Sequence, residues 1–401
     1  MRNSPPKYFC ALLICILIST FAFGQLSKKH FIPPLTFAEF GNAVPQEQYI
    51  YISTPNNLDV TYTITPIGQP PSAIISGNVT NNNPDEVYID NGAGQLFQPS
   101  PETSTIISNR GYIIEAEDVI YVSVRMKAGN NAQAGALVSK GTAALGTVFR
   151  AGSYTNENPQ SNYLNFFSLM ATENNTTVII DDLPAGIAIK NYTGSFPINI
   201  NLNEGQSYVV ATNSNENIIN RDGLIGTLIQ SDKPIVMNAG SANGSFHNGN
   251  GRDYGIDQIV DFSNVGNEYI FVRGDGANSF ENVLIVAHED NTEITINGGG
   301  IIATINAGEY HLIEGNYYNT NGNMYVNTSK NIFAYQGVGG NGNNEPNQGM
   351  FFVPPLSCNN RGDLNSIANI QNIGTTQYNG GVTIVTNKGS IEILTMSLIK
   401  F

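Results

Sequence analysis

The sequence predicts an all-β protein made of tandem β-sandwich-like modules of short antiparallel strands. Three observations carry this. Charged residues make up only 12% of the 401-residue chain, while Gly (41) and Asn (about fifty) are over-used. Soluble domains usually carry about 25% charge, and helical bundles need it on their outer faces, so the composition excludes them. Alternating β-branched and aromatic runs recur, bounded by Asn, Gly, Asp and Pro clusters, as in Tyr49–Ile52, Val60–Ile64, Ile120–Val124, Thr177–Ile180, Val283–Val286 and Ile294–Ile296. Finally, the chain repeats itself. A β-propeller, in which each repeat would supply two four-stranded blades, is the alternative architecture. A hydrophobic fraction of 41% and a mean hydropathy of -0.14 exclude a chain that is mostly disordered or mostly in lipid.

In chain order, residues 1–24 read as a signal peptide. Arg2 and Lys7 precede an apolar run, Tyr8–Ile18, and Ala22-Phe23-Gly24 forms a small-residue cleavage site before Gln25. Ser19-Thr20 interrupt the run before it could span a bilayer. Cleavage removes two basic and no acidic residues, taking the formal charge from -14 to -16. The mature chain is then expected outside the cytoplasm, as a secreted or cell-surface protein. Cys10 and Cys15 leave with the signal, and Cys358 alone stays, so there is no disulfide framework and no thiolate metal site. The acidity (pI about 4.6) makes nucleic acid and anionic membranes poor partners.

Modules are expected over 25–147, 148–269 and 270–350, with an incomplete fourth over 351–401. Phe31-Ile32-Pro33-Pro34-Leu35 has a near copy in Phe352-Val353-Pro354-Pro355-Leu356, and Val148–Gly152 echoes Ile270–Gly274. Thr54–Val60, Thr172–Val178 and His288–Ile294 share one shape, a strand, a tight Asx-type turn and a strand, with Asn56, Asn174 and Asp290 equivalent. Asn203-Glu204-Gly205 and Asn306-Ala307-Gly308 read as hairpin turns. Glu117–Ile120, Asp232–Ile235 and Ser329–Ile332 read as charged turns leading into apolar strands. The fourth module stops at Phe401, so residues after about 365 are expected to be the least well packed, with Ile391–Ile399 an apolar edge open to self-association.

The run Phe31–Leu35, the turn Ala171–Val178, the segment Ser231–Val236 and Gly255–Val260 before Glu268–Phe271 together resemble bacterial relatives of the N-terminal domain of IgG-Fc-binding protein. The resemblance spans roughly residues 30 to 400. It implies a Bacteroidota protein, exported, of the kind found ahead of adhesion modules and type IX secretion sorting domains. It implies adhesion and no catalytic residues; immunoglobulin binding is not implied.

No motif anchors catalysis. Gly337–Gly342 matches G-x-G-x-x-G but lacks a following helix, so it reads as a loop. His30, His247, His288 and His311 show no metal-binding pair spacing, no G-x-S-x-G elbow occurs, and Arg361-Gly362-Asp363 is a chance tripeptide in a turn. Calcium has candidate ligands in Asp253, Asp257, Asp275 and Glu281, without the spacing of a calcium loop, so no cofactor is assigned. The expectation is a non-enzymatic interaction or adhesion protein for an extracellular protein or glycan. A secreted hydrolase of polysaccharide or peptide is the alternative, and two carboxylates facing each other across a cleft would mark it.

Overall fold

The computed structural model describes residues 26–38, 41–130, 133–157, 160, 163–214, 217–246, 252–339, 349–356 and 368–378. It is all-β. Expectations for the signal peptide, His247, Cys358, Arg361–Asp363 and Ile391–Ile399 fall outside those residues.

The first module contains β1 (Ser27–Ile32), β2 (Leu35–Phe37), β3 (Pro45–Ser53), β4 (Val60–Pro66), β5 (Ile75–Val79), β6 (Asp85–Asn91), β7 (Phe97–Pro99), β9 (Tyr112–Ala128) and β10 (Gln133–Val138), while β8 (Ile106–Ile107), within the same span, pairs into the second module's sheet. The second contains β11 (Gly146–Arg150), β12 (Leu164–Ala171), β13 (Thr176–Asp181), β14 (Ile198–Leu202), β15 (Ser207–Asn213), β16 (Leu228–Gly244) and β17 (Asp253–Ile259). The third contains β18 (Gly266–Val272), β19 (Asn282–Ala287), β20 (Thr292–Ile296), β21 (Ile301–Ile305), β22 (Tyr310–Ile313), β23 (Asn323–Val338) and β24 (Gly349–Phe352). A last pair, β25 (Asn372–Ile373) and β26 (Thr376–Gln377), follows.

Each module is organised by one long strand that changes partners midway. The N-terminal half of β9 pairs with β1 and with β4, which carries β5; the C-terminal half pairs with β3, which carries β6, and with β10. β16 and β23 repeat the pattern. Two four-stranded sheets thus share a strand and face one core, in which Ile50 and Ile52 of β3 meet Tyr62 and Ile64 of β4 and Ile114 to Met126 of β9. That is the sandwich-like arrangement.

The repeated sequence landmarks take on a different meaning here. Asp118-Val119, Lys233-Pro234 and Lys330-Asn331 are the midpoints of the long strands, not turns. Pro234 is tolerated there because a strand switching partners has no ladder bond for its missing N–H. Of the two strands that pair with each N-terminal half, one, β1, β11 or β18, shifts register at the same place: Ser27/Lys29, Gly146/Val148 and Gly266/Glu268. The Asx turns join strands of opposite sheets, so the flanking strands pair with the long strand and not with each other. The Asn-x-Gly segments likewise connect one sheet to the other and are not hairpins.

The seams also move. β11 begins at Gly146 and β18 at Gly266, a few residues before the expected boundaries. Phe352 closes the third module rather than opening a fourth, because β24 pairs with β23. Its likeness to Phe31, which sits on β1 against the other half of a long strand, is not a structural equivalence.

Modules stack through the outer face of β3 and its equivalents. Phe166 of β12 enters the first core, and Leu284 and Val286 of β19 enter the second. Among the described residues, no module precedes the first. Its corresponding face, Tyr49 and Tyr51, is covered by the returning segment 368–378, with Ala368 and Ile373 buried. Within that segment Ala368, Ile373 and Gly374 are buried and five of the eleven residues are exposed; the rest of the expectation for residues past 365 falls outside the described residues.

Candidate functional site

β10, β17 and β24 are the edge strands of their modules, each paired only with its own long strand. They come together in the interior of the molecule. Edge strands leave a row of amides unpaired, and a buried amide must find an acceptor. Here aspartates from β17 supply it. Asp257 Oδ1 accepts from the amides of Val138 and Gln258, both at 2.9 Å. Its Oδ2 accepts from the Phe352 amide at 3.0 Å and from Lys140 Nζ at 2.9 Å. One carboxylate therefore ties β10 to β24 across β17. Lys140 and Asp257 form a buried ion pair, with side chains 7% and 4% exposed. Gly135 permits the close approach of β10 and β17: a Cβ there would lie 2.6 Å from Cβ of Tyr254.

Between the three strands lies an apolar-lined cavity of about 310 Å³, walled by Ala136 and Val138 of β10, Tyr254 of β17, Met350 and Phe351 of β24, and Ile373 of the returning segment. Asp253 and Asp257 also face it. Asp253 is 5% exposed. Its Oδ1 accepts from the amides of Ala134 (2.6 Å) and Tyr254 (3.0 Å), while Oδ2 bonds to nothing among the described residues. Burial pushes this carboxyl well above the usual carboxylate range, against the pull of the two amides.

The four calcium candidates separate. Asp253 and Asp257 share the cavity. Glu281 is fully buried elsewhere, accepting from the amides of Gly274 (2.9 Å), Gly276 (2.8 Å) and Gly339 (3.1 Å); burial raises its pKa. Its role is to pin loops, including the start of the Gly-rich segment, whose remainder lies outside the described residues. Asp275 is exposed. No three His, Cys, Asp or Glu side chains converge among the described residues.

His30 and His288 both sit in structural contacts. His30 is buried, its Nδ1 3.0 Å from Ser139 Oγ and its Nε2 3.2 Å from the carbonyls of Ser27 and Ile120; burial lowers its pKa to about 4. His288 stands where Thr54 and Thr172 stand in the sister modules. Those threonines donate to the long-strand carbonyls of Val119 (2.8 Å) and Pro234 (2.7 Å). His288 instead lies against the Phe262 ring at 3.9 Å and accepts from Arg150 Nε at 3.3 Å. It marks the joint between the second and third modules. Lys140 carried no sequence signal, because it lies between modules and its partner is more than a hundred residues away.

Among the described residues, the two acids of the cavity are not set across from each other as a hydrolytic pair would be. Both oxygens of Asp257 are occupied, and Asp253 follows the same strand four residues away rather than facing it across a cleft.

The sequence model of the family described as IgGFc binding protein matches residues 134–397, and the chain belongs to that family. The match begins inside β10, so most of the first module lies outside it, a narrower span than the resemblance implied. Every residue lining the cavity falls within it. No curated protein matches the chain.

Proposed function

We propose that this is a non-enzymatic exported or cell-surface interaction protein, with an extracellular protein or glycan as partner. The observation that carries the reading is the state of the cavity acids within the family-matched region. Asp257 is consumed in joining strands, and Asp253 has no second carboxylate to work with. The protein offers an open, apolar-lined recess whose two acids lie on one strand. Family membership supports a binding role. Export through residues 1–24, and origin among surface proteins of Bacteroidota that use type IX secretion, belong to the same proposal. No cofactor is required.

The test uses residues 25–401, immobilised and exposed to IgG Fc, to a panel of extracellular glycoproteins and to a glycan array. Chromogenic glycosides and a peptide-substrate library are incubated with the same material. Saturable binding without turnover is the expected result. Turnover that disappears in Asp253→Asn would replace this reading with the hydrolase.

A further inference from the structure

The carboxyl of Asp253 is unusual among the buried acids of this protein. Asp257 spends both oxygens on amides and an ammonium, and Glu281 spends both on three amides. Asp253 spends one. A buried acceptor left open costs free energy, more so when it can carry charge. This open oxygen belongs to a side chain that lines a cavity otherwise walled mainly by apolar side chains, with the already paired Asp257 beside it. Tyr378, on the returning segment, has a buried Oη without a partner among the described residues.

The cavity could have been neutralised from within. Lys140 is near enough to reach Asp257, but it bonds there and to no oxygen of Asp253. Arg252, next in sequence, turns its guanidinium over the Tyr163 ring, 5.7 Å from the centroid. Among the described residues, Asp253 has no cationic partner.

We propose that this cavity takes an aliphatic primary ammonium, in the form of a lysine side chain presented by a protein partner. The proposal rests on the interaction-protein reading above and names the chemistry of its site. A lysine has the two-part character the cavity asks for, an apolar stem to lie along Val138, Met350 and Phe351 and a cationic head to meet Oδ2. At about 310 Å³ the cavity holds such a stem with room for the partner backbone at its mouth. Phe351, 39% exposed, forms an apolar rim there. The formal charge of -14 favours approach of a basic partner.

The experiment titrates residues 25–401 with n-pentylamine and with its neutral isostere n-pentanol, followed by ligand-observed NMR. The peptide acetyl-Gly-Lys-Gly-amide and its Nε-acetylated form are then run as competitors. Saturable binding of the amine is expected, at least tenfold tighter than the alcohol, with displacement by the lysine peptide and not by its acetylated form. Asp253→Asn should weaken amine binding at least tenfold. Ala136→Leu, at an exposed position on the cavity wall, should block both probes in a folded protein and keeps the test open should the Asp253 variant fail to fold. Equal binding of amine and alcohol, amine binding that survives both variants, or no saturable binding would each overturn the proposal. None of these affects the interaction-protein reading, which fails only on substrate turnover.

Discussion

Burial sets the chemistry of single residues here, and two consequences are measurable. The unfolded His30 takes a proton near pH 6.5, whereas the folded one does so only near 4. Its contribution is therefore complete above pH 6.5 and is lost as the pH falls toward 4. Linkage puts the loss at about 3 kcal/mol across that window. His30→Gln should flatten the urea-unfolding stability between pH 4 and 6.5 by that amount relative to the parent, whatever it does to stability at pH 7. An unchanged slope would mean that the buried imidazole already titrates normally. Lys140 gives the second case. Lys140→Met leaves Asp257 buried with amides alone, and breaking a buried pair from one side costs about 3–5 kcal/mol. A smaller loss, under about 1 kcal/mol in the same assay, would show that the three amides suffice to hold the charge. The sequence marked Asp253 and Asp257 as acids worth examining, but it could not tell a strand-joining carboxylate from an open one. That difference lies in amides donated from β10 and β24, both distant along the chain.

The elements were more legible, and the corner of each sandwich explains why. Asn174 Oδ1 accepts from the Glu204 amide at 3.2 Å, and Asp290 Oδ1 from the Ala307 amide at 3.0 Å. Asn203 Oδ1 accepts from Asn175 (3.1 Å), and Asn306 Oδ1 from Asn291 (3.2 Å). Lys233 and Lys330 reach from the long strands to the carbonyls of Asn174 and Asp290. Asn175 and Asn291 both sit at φ 55°, where Asn is among the few side chains readily accommodated. Three landmarks that look separate in sequence are thus one hydrogen-bonded corner, which is why they recur together. Their local shapes were misread as hairpins and charged turns because sequence shows neighbours along the chain, while each turn's partners are a second loop 15 to 30 residues away and the middle of a strand 40 to 59 residues away. The first module departs from the rule in charge. Asp118 replaces the lysine, accepts from Asn56 Nδ2 at 3.0 Å and lies 3.4 Å from Lys28 Nζ. Asn174→Ala and Asp290→Ala should each cost about 1 kcal/mol by urea denaturation, since each removes one side-chain acceptor from an equivalent place. Costs differing by more than about 1 kcal/mol would show that the corners are alike in sequence only.

At the scale of the whole molecule, stacking among the described residues leaves the outer face of β3 without a module over it, and residues 368–378 cover Tyr49 and Tyr51 there. The long strand shows how. Opposite Phe166 and Asn282 stand Gly240 and Gly337, where a Cβ would lie 1.9 Å from the Gly255 carbonyl oxygen and 2.7 Å from the Phe246 ring. The first module has Arg125 at this place, opposite Tyr49. Its guanidinium lies over the Tyr51 ring at 3.9 Å and donates to the carbonyls of Ala368 (2.6 Å), Asn369 (2.5 Å) and Asn372 (3.0 Å). Lys127 adds a bond to Thr376 Oγ1 at 3.0 Å, and Tyr51 Oη accepts from the Gly374 amide at 2.9 Å. A planar fork of donors can serve three carbonyls at once, which a lysine ammonium on a flexible stem cannot do with the same ring contact. Arg125→Lys should therefore loosen segment 368–378 without loosening the modules. The expected sign is hydrogen exchange at Gly374 at least tenfold faster, corresponding to about 1.4 kcal/mol, with amides in β12 unchanged. If exchange at Gly374 stays slow, Ala368 and Ile373 hold the segment by burial alone. If β12 accelerates with it, the returning segment and the stacked modules unfold as a single cooperative unit.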